Sequence, residues 1–121
     1  EHITMTAAWI VSQWAGDFNP SHLHDGILSG VCYLWMPDLS EEMSKEDHYP
    51  SAARISWFCN QPSNLSLYKF EYLPQVGDFF LFPSWVPHTV YPFRTQNVER
   101  RSLSFNVYLK WKKIFLIIMI N

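Results

Sequence analysis

Cysteine and long apolar runs are both scarce in this 121-residue sequence, and each scarcity closes off a class of protein. Two cysteines, Cys32 and Cys59, form no CxxC pair and are too few for a disulfide scaffold. The expectation is a pair of buried free thiols in a reducing compartment. The longest apolar run, Ile114 to Ile120, is seven residues and too short to cross a bilayer. No basic-apolar-small series of a signal peptide opens the sequence, so the expectation is a soluble, cytoplasmic protein with no membrane partner. Charge of one sign is lacking too: nine Lys and Arg stand against eleven Asp and Glu. That balance argues against a phosphate-coating surface and hence against nucleic acid as a partner. Eight prolines and four glycines punctuate residues 16–92 closely enough to leave no long helical stretch there, which argues against a helical bundle.

What is present is apolar and aromatic: 48% of residues are hydrophobic and 17% are Phe, Trp or Tyr. The length suits one domain. We read residues 1–110 as that domain and 111–121 as an atypical apolar tail with no chemistry of its own. Strand signals run through Thr6 to Trp14, Leu28 to Trp35, Ala53 to Cys59, Leu65 to Leu73, Phe79 to Phe82, His88 to Tyr91 and Arg100 to Leu109. Turn formers separate them, among them Ala15-Gly-Asp-Phe-Asn-Pro20, Asp25-Gly26 and Pro74-Gln-Val-Gly-Asp78. Seven or eight short strands with few or no helices predict an all-β sandwich or barrel. Residues Asp38 to Pro50, rich in Glu and Asp, read as a solvated loop or lid offering little to a core.

Three of the five histidines sit in suggestive places. His22 and His24 are two apart, so in a strand both leave the same face. His88 lies sixty-four residues beyond His24, a separation suited to an early and a late strand lying side by side. Two ligands from one strand and one from another leave open positions on a metal ion, the logic of the facial triad at non-haem iron. The blander alternative is a half-exposed strand whose polar residues face water. His2 and His48 read as surface residues.

In Glu99-Arg-Arg-Ser-Leu-Ser-Phe-Asn106, a strand sends Arg100, Ser102, Ser104 and Asn106 one way and Arg101, Leu103 and Phe105 the other. Inside a barrel that guanidinium needs a partner, and a dicarboxylate ligand is one candidate. Taken alone, an exposed face with Arg100 paired to Glu99 or Asp17 is the simpler expectation. The stretch Val76 to Phe93 is dense in aromatics, and without His88 it would read as core only.

Taken together, several segments resemble one family. They are Ala8-Trp-Ile-Val-Ser-Gln, Gly16-Asp-Phe-Asn-Pro-Ser-His-Leu-His and Leu28-Ser-Gly-Val-Cys-Tyr-Leu, then Val76-Gly-Asp-Phe-Phe-Leu-Phe-Pro-Ser-Trp, His88-Thr-Val-Tyr-Pro-Phe and Glu99-Arg-Arg-Ser-Leu-Ser-Phe-Asn. In order and spacing these look like the 2-oxoglutarate- and Fe(II)-dependent oxygenases of marine bacteria and their phages, within the prolyl-hydroxylase-like group. The resemblance covers most of Ala7 to Val107. It implies a double-stranded β-helix, a jelly roll related to the cupins. It also implies iron held by His22, His24 and His88, with His24 standing where the wider superfamily has a carboxylate and Asp25 as the alternative second ligand. The family's Arg-x-Ser pattern falls on Arg100 and Ser102, which would hold the far carboxylate of 2-oxoglutarate, with Arg101 as the alternative anchor. Tyr33 and Asn106 would line the pocket.

The activity so implied is hydroxylation of a peptidyl side chain or small metabolite, with release of succinate and CO2 and with ascorbate as the reductant in assays. Two other readings stand beside it: a metal-binding cupin-type protein of different activity, and a catalytically inactive β module. A sheet edge left open after Lys110 would invite homodimerisation.

Overall fold

The computed structural model describes residues 2–45, 51–59 and 68–110. The expected apolar tail, 111–121, lies outside them, as do 46–50 of the acidic segment and 60–67. Eight strands and one short helix follow in the order β1 (His2–Gln13), β2 (Asn19–His22), β3 (Leu28–Trp35), α1 (Ser40–Met43), β4 (Ile55–Phe58), β5 (Lys69–Tyr72), β6 (Phe79–Pro83), β7 (His88–Val90) and β8 (Arg100–Lys110). They form two four-stranded sheets, β1-β8-β3-β6 and β2-β7-β4-β5, with every neighbouring pair antiparallel. Successive strands alternate between sheets except β4 and β5, which pair as neighbours in one, and the order is that of a jelly roll, the double-stranded β-helix. The all-β expectation holds, and α1 is the one helix among the described residues.

Period-2 alternation decides what faces inward. On β3 the residues Ser29, Val31 and Tyr33 point between the sheets, and on β4 Ile55 and Trp57 meet them. Val31, Tyr33, Ile55, Trp57 and Val86 form the main core, with Phe80, Phe82, Tyr72 and Val90 packed against it. Burying side chains of this size contributes about 1.5–3 kcal/mol each, which is why aromatic and β-branched residues dominate these short strands. The outer face of β3 has one strict requirement. A Cβ at Gly30 would overlap the ring of Phe105 on β8, its register partner. Gly26, at φ +100°, serves the turn into β3, and a Cβ there would lie 2.9 Å from the Val107 carbonyl oxygen. Among the described residues, no helix is long and apolar enough to cross a membrane.

Two readings of the sequence need correction. Both cysteines are free, but Cys32 is only half-buried and Cys59 is exposed. Cys32 has the parity of Gly30 and so sits on the outward side of β3, and Cys59 follows the last residue of β4. The acidic segment, as far as it is described, exposes Asp38, Ser40, Glu41, Ser44 and Lys45 as expected, but it gives a residue to a core and is fastened to the body. Leu39 is buried with Ala53 and Phe93 in a second cluster. The Glu42 carboxylate accepts the Arg94 and Thr95 backbone N–H groups and the Thr95 hydroxyl at 2.8–2.9 Å. Glu71 does similar work on β5, accepting from Ser51, Ser56 and Lys69.

Candidate metal centre

At one end of the sandwich β2 pairs with β7, in register at Asn19↔Val90 and His22↔His88. The Thr89 hydroxyl ties the two strands by donating to the Asn19 carbonyl at 2.9 Å. His24 does not continue the strand: β2 ends at His22, and His24 lies in the loop into β3. Its placement comes from Ser84 instead. The Ser84 carbonyl accepts the His24 N–H at 3.2 Å, its N–H donates to Ile27, and its buried hydroxyl donates to the Gly26 carbonyl at 2.6 Å. The strand argument for a shared face therefore gives the right neighbours for a partly wrong reason.

The three imidazoles converge. Ring centroids are 4.9 Å apart for His22 and His24, 4.3 Å for His22 and His88, and 5.0 Å for His24 and His88. One ring nitrogen from each lies within 4.8 Å of the others. Bonds to a metal near 2 Å allow ligand atoms at most about 4 Å apart. The widest pair must therefore close slightly on an ion, and His22 and His24, half-buried, have room to do so. Asp25, the alternative ligand, is exposed and stands outside the cluster.

Two of the rings are already oriented for ligation. His22 Nδ1 lies 2.7 Å from the Pro20 carbonyl oxygen and His88 Nδ1 lies 3.1 Å from that of Val86. A carbonyl only accepts, so the proton sits on Nδ1 and the Nε2 lone pair is left for a metal. Burial drives the His88 pKa down to about 4, against the Val86 hydrogen bond and assisted by the two neighbouring imidazoles. Burial and His22 lower that of His24, with Asp25 opposing. Both effects favour the neutral form that binds metal. Imidazole donors suit iron as they suit zinc, copper and nickel. Phe82 closes one side, its ring 4.8 Å from that of His88, and Trp9 stands 5.8 Å from His24.

A cavity of about 90 Å³ runs inward from the cluster, its polar lining including Gln13, Tyr33, Ser102 and Ser104. Burial pushes the Tyr33 phenol well above its ordinary pKa, opposed by the positive charge of Arg100, so it stays a donor. Neither the Tyr33 nor the Ser102 hydroxyl has a hydrogen-bond partner among the described residues. Arg100 is 1% exposed and so lies inside, contrary to the simpler expectation for this strand. Its Nη1 donates to the Ala53 carbonyl at 2.7 Å, its Nη2 to Tyr91, and its Nε and Nη2 to Gln13 Oε1 at 3.2 and 2.9 Å. It is Arg101 that pairs with Glu99, on the outer face and half exposed. Asn106 faces inward but accepts from Ser29 at 3.0 Å and does not line the cavity.

Gln13, Trp9 and Ser84 were missed in the sequence. For the first two a signal exists: Trp9, Val11 and Gln13 share one face of β1 by parity, and all three line the cavity. Ser84 has none, since its role depends on a loop fifty-eight residues away.

No curated protein matches the chain. A family model described as "Putative 2OG-Fe(II) oxygenase" matches residues 7–106. That span runs from Ala7 within β1 to Asn106 within β8 and takes in the whole imidazole cluster and its cavity, and the chain belongs to this 2OG-Fe(II) oxygenase family.

Proposed function

We propose that the protein is a 2-oxoglutarate- and Fe(II)-dependent dioxygenase that hydroxylates a peptidyl side chain or small metabolite. In that reaction 2-oxoglutarate, O2 and a C–H bond become succinate, CO2 and a C–OH group. The observation that carries the proposal is the convergence of three ring nitrogens within 4.8 Å beside a cavity whose lining includes the polar groups of Gln13, Tyr33, Ser102 and Ser104. His22, His24 and His88 would hold Fe(II), which supplies the electron-transfer chemistry with O2 that side chains lack.

The protein's own groups have definite tasks. The Pro20 and Val86 carbonyls fix the tautomer and aim of two rings. Phe82 and Trp9 screen the imidazoles from water, which strengthens every electrostatic contact inside. At the far end Arg100 supplies the positive charge and Tyr33 and Ser102 the hydroxyl donors that suit the distal carboxylate of 2-oxoglutarate. With His24 in place of a carboxylate, all three ligands are neutral, so the metal's charge is left for the chelating 2-oxo acid to balance.

The test is anaerobic titration of 2-oxoglutarate into Fe(II)-loaded protein, followed by admission of O2 with ascorbate present. The expected result is binding and slow succinate formation, both lost in His88→Ala. Wild-type protein that takes up Fe(II) but binds no 2-oxoglutarate would overturn the proposal in favour of a metal-binding module of another kind.

A further inference from the structure

β8 carries its polar side chains inward, Arg100, Ser102, Ser104 and Asn106, and turns Leu103, Phe105 and Val107 to the outside of its sheet. A strand with one face on a core and the other in water alternates the opposite way. We propose that the outer face of the β1-β8-β3-β6 sheet is the interface of a homodimer, in which a second copy of the chain packs its identical face against it. The inference goes beyond the function proposed above and does not depend on it.

Cross-strand partners share a face, so the apolar surface can be followed across all four strands. Ile10, Leu103, Cys32 and Phe79 make one row, and Met5, Val107, Leu28 and Pro83 make another. Between them runs the row of Phe105, whose ring covers Gly30 and stacks on Phe79, with Ala8 and Leu81 at its ends. None of these rows holds a charged, amide or hydroxyl side chain. The exposure is concentrated on the two edge strands: Ile10 and Met5 on β1 are 53% and 58% exposed, and Phe79 and Leu81 on β6 are 57% and 52% exposed. The following row brings Ser12 and Arg101, the latter paired with Glu99, and so begins a polar rim.

Three rows on four strands amount to roughly 400 Å² of sheet, at about 4.8 Å between strands and about 6.8 Å between alternate residues. Ile3 and Trp35, 77% and 59% exposed on the same face, extend it at either end. A monomer's largest apolar patch is roughly 300–600 Å². With side chains standing out of the plane, this face approaches the ~800 Å² that each partner brings to a standard interface. A second copy is the occupant these features select. Homodimer interfaces are more apolar than others and exclude charge from their centre. A two-fold axis lays the same patch on itself, so one uncharged face serves both sides, and sheets stack face to face about 10 Å apart. Pairing through an open sheet edge, the expectation from the sequence, would leave this face in water. The imidazoles come from β2, β7 and the loop after β2, and stay clear of the interface.

The experiment is sedimentation equilibrium of the full chain over a range of concentrations. The expected result is a mass twice the 14.3 kDa of one chain. Ile10→Lys on β1 and Leu81→Lys on β6 should each weaken dimerisation about thirtyfold or more, the scale of an interface hot spot, because each sets two like charges into an apolar contact. Trp85→Lys, at a side chain 66% exposed in the loop after β6, should leave it unchanged. Thiol labelling gives a reading that needs no variant. Cys32, within the face, should react more slowly as the wild-type concentration rises, while Cys59, exposed after β4 of the other sheet, reacts at a constant rate. A monomeric wild type overturns the inference and leaves the face to another occupant, residues 111–121 among them. A dimer weakened by only one of the Ile10 and Leu81 variants overturns it in favour of edge pairing. A dimer that neither weakens, or that Trp85→Lys weakens equally, overturns it as well, and so does a Cys32 rate independent of concentration.

Discussion

Replacing Arg100 by Met tests most sharply whether the polar inner face of β8 is built as described. Arg100 is 1% exposed, and its removal leaves the Ala53 and Tyr91 carbonyls and Gln13 Oε1 without these donors. Each hydrogen bond to a charged group contributes about 1.5–3 kcal/mol, and buried acceptors left unmade cost about 1–3 kcal/mol apiece. These terms overlap and do not add in full, and Met recovers part of the loss by removing a cation that was costly to desolvate. With three buried acceptors left short of a donor and part of the cost offset in this way, a net loss of about 3 kcal/mol is expected. Urea unfolding followed by tryptophan fluorescence reads this as a lower midpoint at unchanged slope. Arg101→Met is the internal control. That side chain is half exposed and, among the described residues, paired with Glu99 alone, and such pairs contribute about 0–1 kcal/mol. Equal shifts for the two variants, or no shift for Arg100→Met, would refute the assignment of inner and outer faces.

Three further expectations follow from the packing. Gly30→Ala drives a methyl group into the Phe105 ring, itself stacked on Phe79, and should cost about 1–3 kcal/mol in the same assay. Ser84→Ala removes the 2.6 Å bond to Gly26, which should destabilise the fold by about 1–3 kcal/mol and weaken Co(II) binding by loosening the loop that carries His24. Acid should release the tie between α1 and residues 94–95. Burial raises the Glu42 pKa, but the Arg94 and Thr95 hydrogen bonds and the Arg94 charge lower it more, so it ends below the ordinary value of 4.5. Its contribution is thus present above pH 4.5 and lost as pH falls through the lower folded value. The stability gap between wild type and Glu42→Gln should be constant near neutrality and close below pH 4.5; a gap that widens in acid would reverse the sign.

Most strands were legible because they are aromatic or β-branched, and Leu28 to Trp35 coincides with β3; β2, Asn-Pro-Ser-His, carries no such signal, and its Asn19 and Pro20 read as turn. The imidazole cluster was legible from its spacing together with the family resemblance. What escaped the sequence depends on contacts across the sheets. Arg100 and Arg101 are chemically identical neighbours, and only strand parity against a known interior tells the buried one from the exposed one. Gln13 at the end of β1 looks like any polar strand terminus until β8 is laid beside it. Leu39 and Glu42 sit in a segment whose composition suggests solvent, yet one buried leucine and one carboxylate accepting backbone N–H groups hold it to the body. The exposure of Cys59 likewise follows from where β4 stops.

The central claim is that His22, His24 and His88 act as one site on one ion. Anaerobic Fe(II) titration of wild type and of each single alanine variant, with melting curves to confirm folding, tests it directly. The account predicts one ion per chain in the wild type and a large loss of affinity in all three variants. Undiminished binding in any folded variant, or no binding by the wild type, would contradict it.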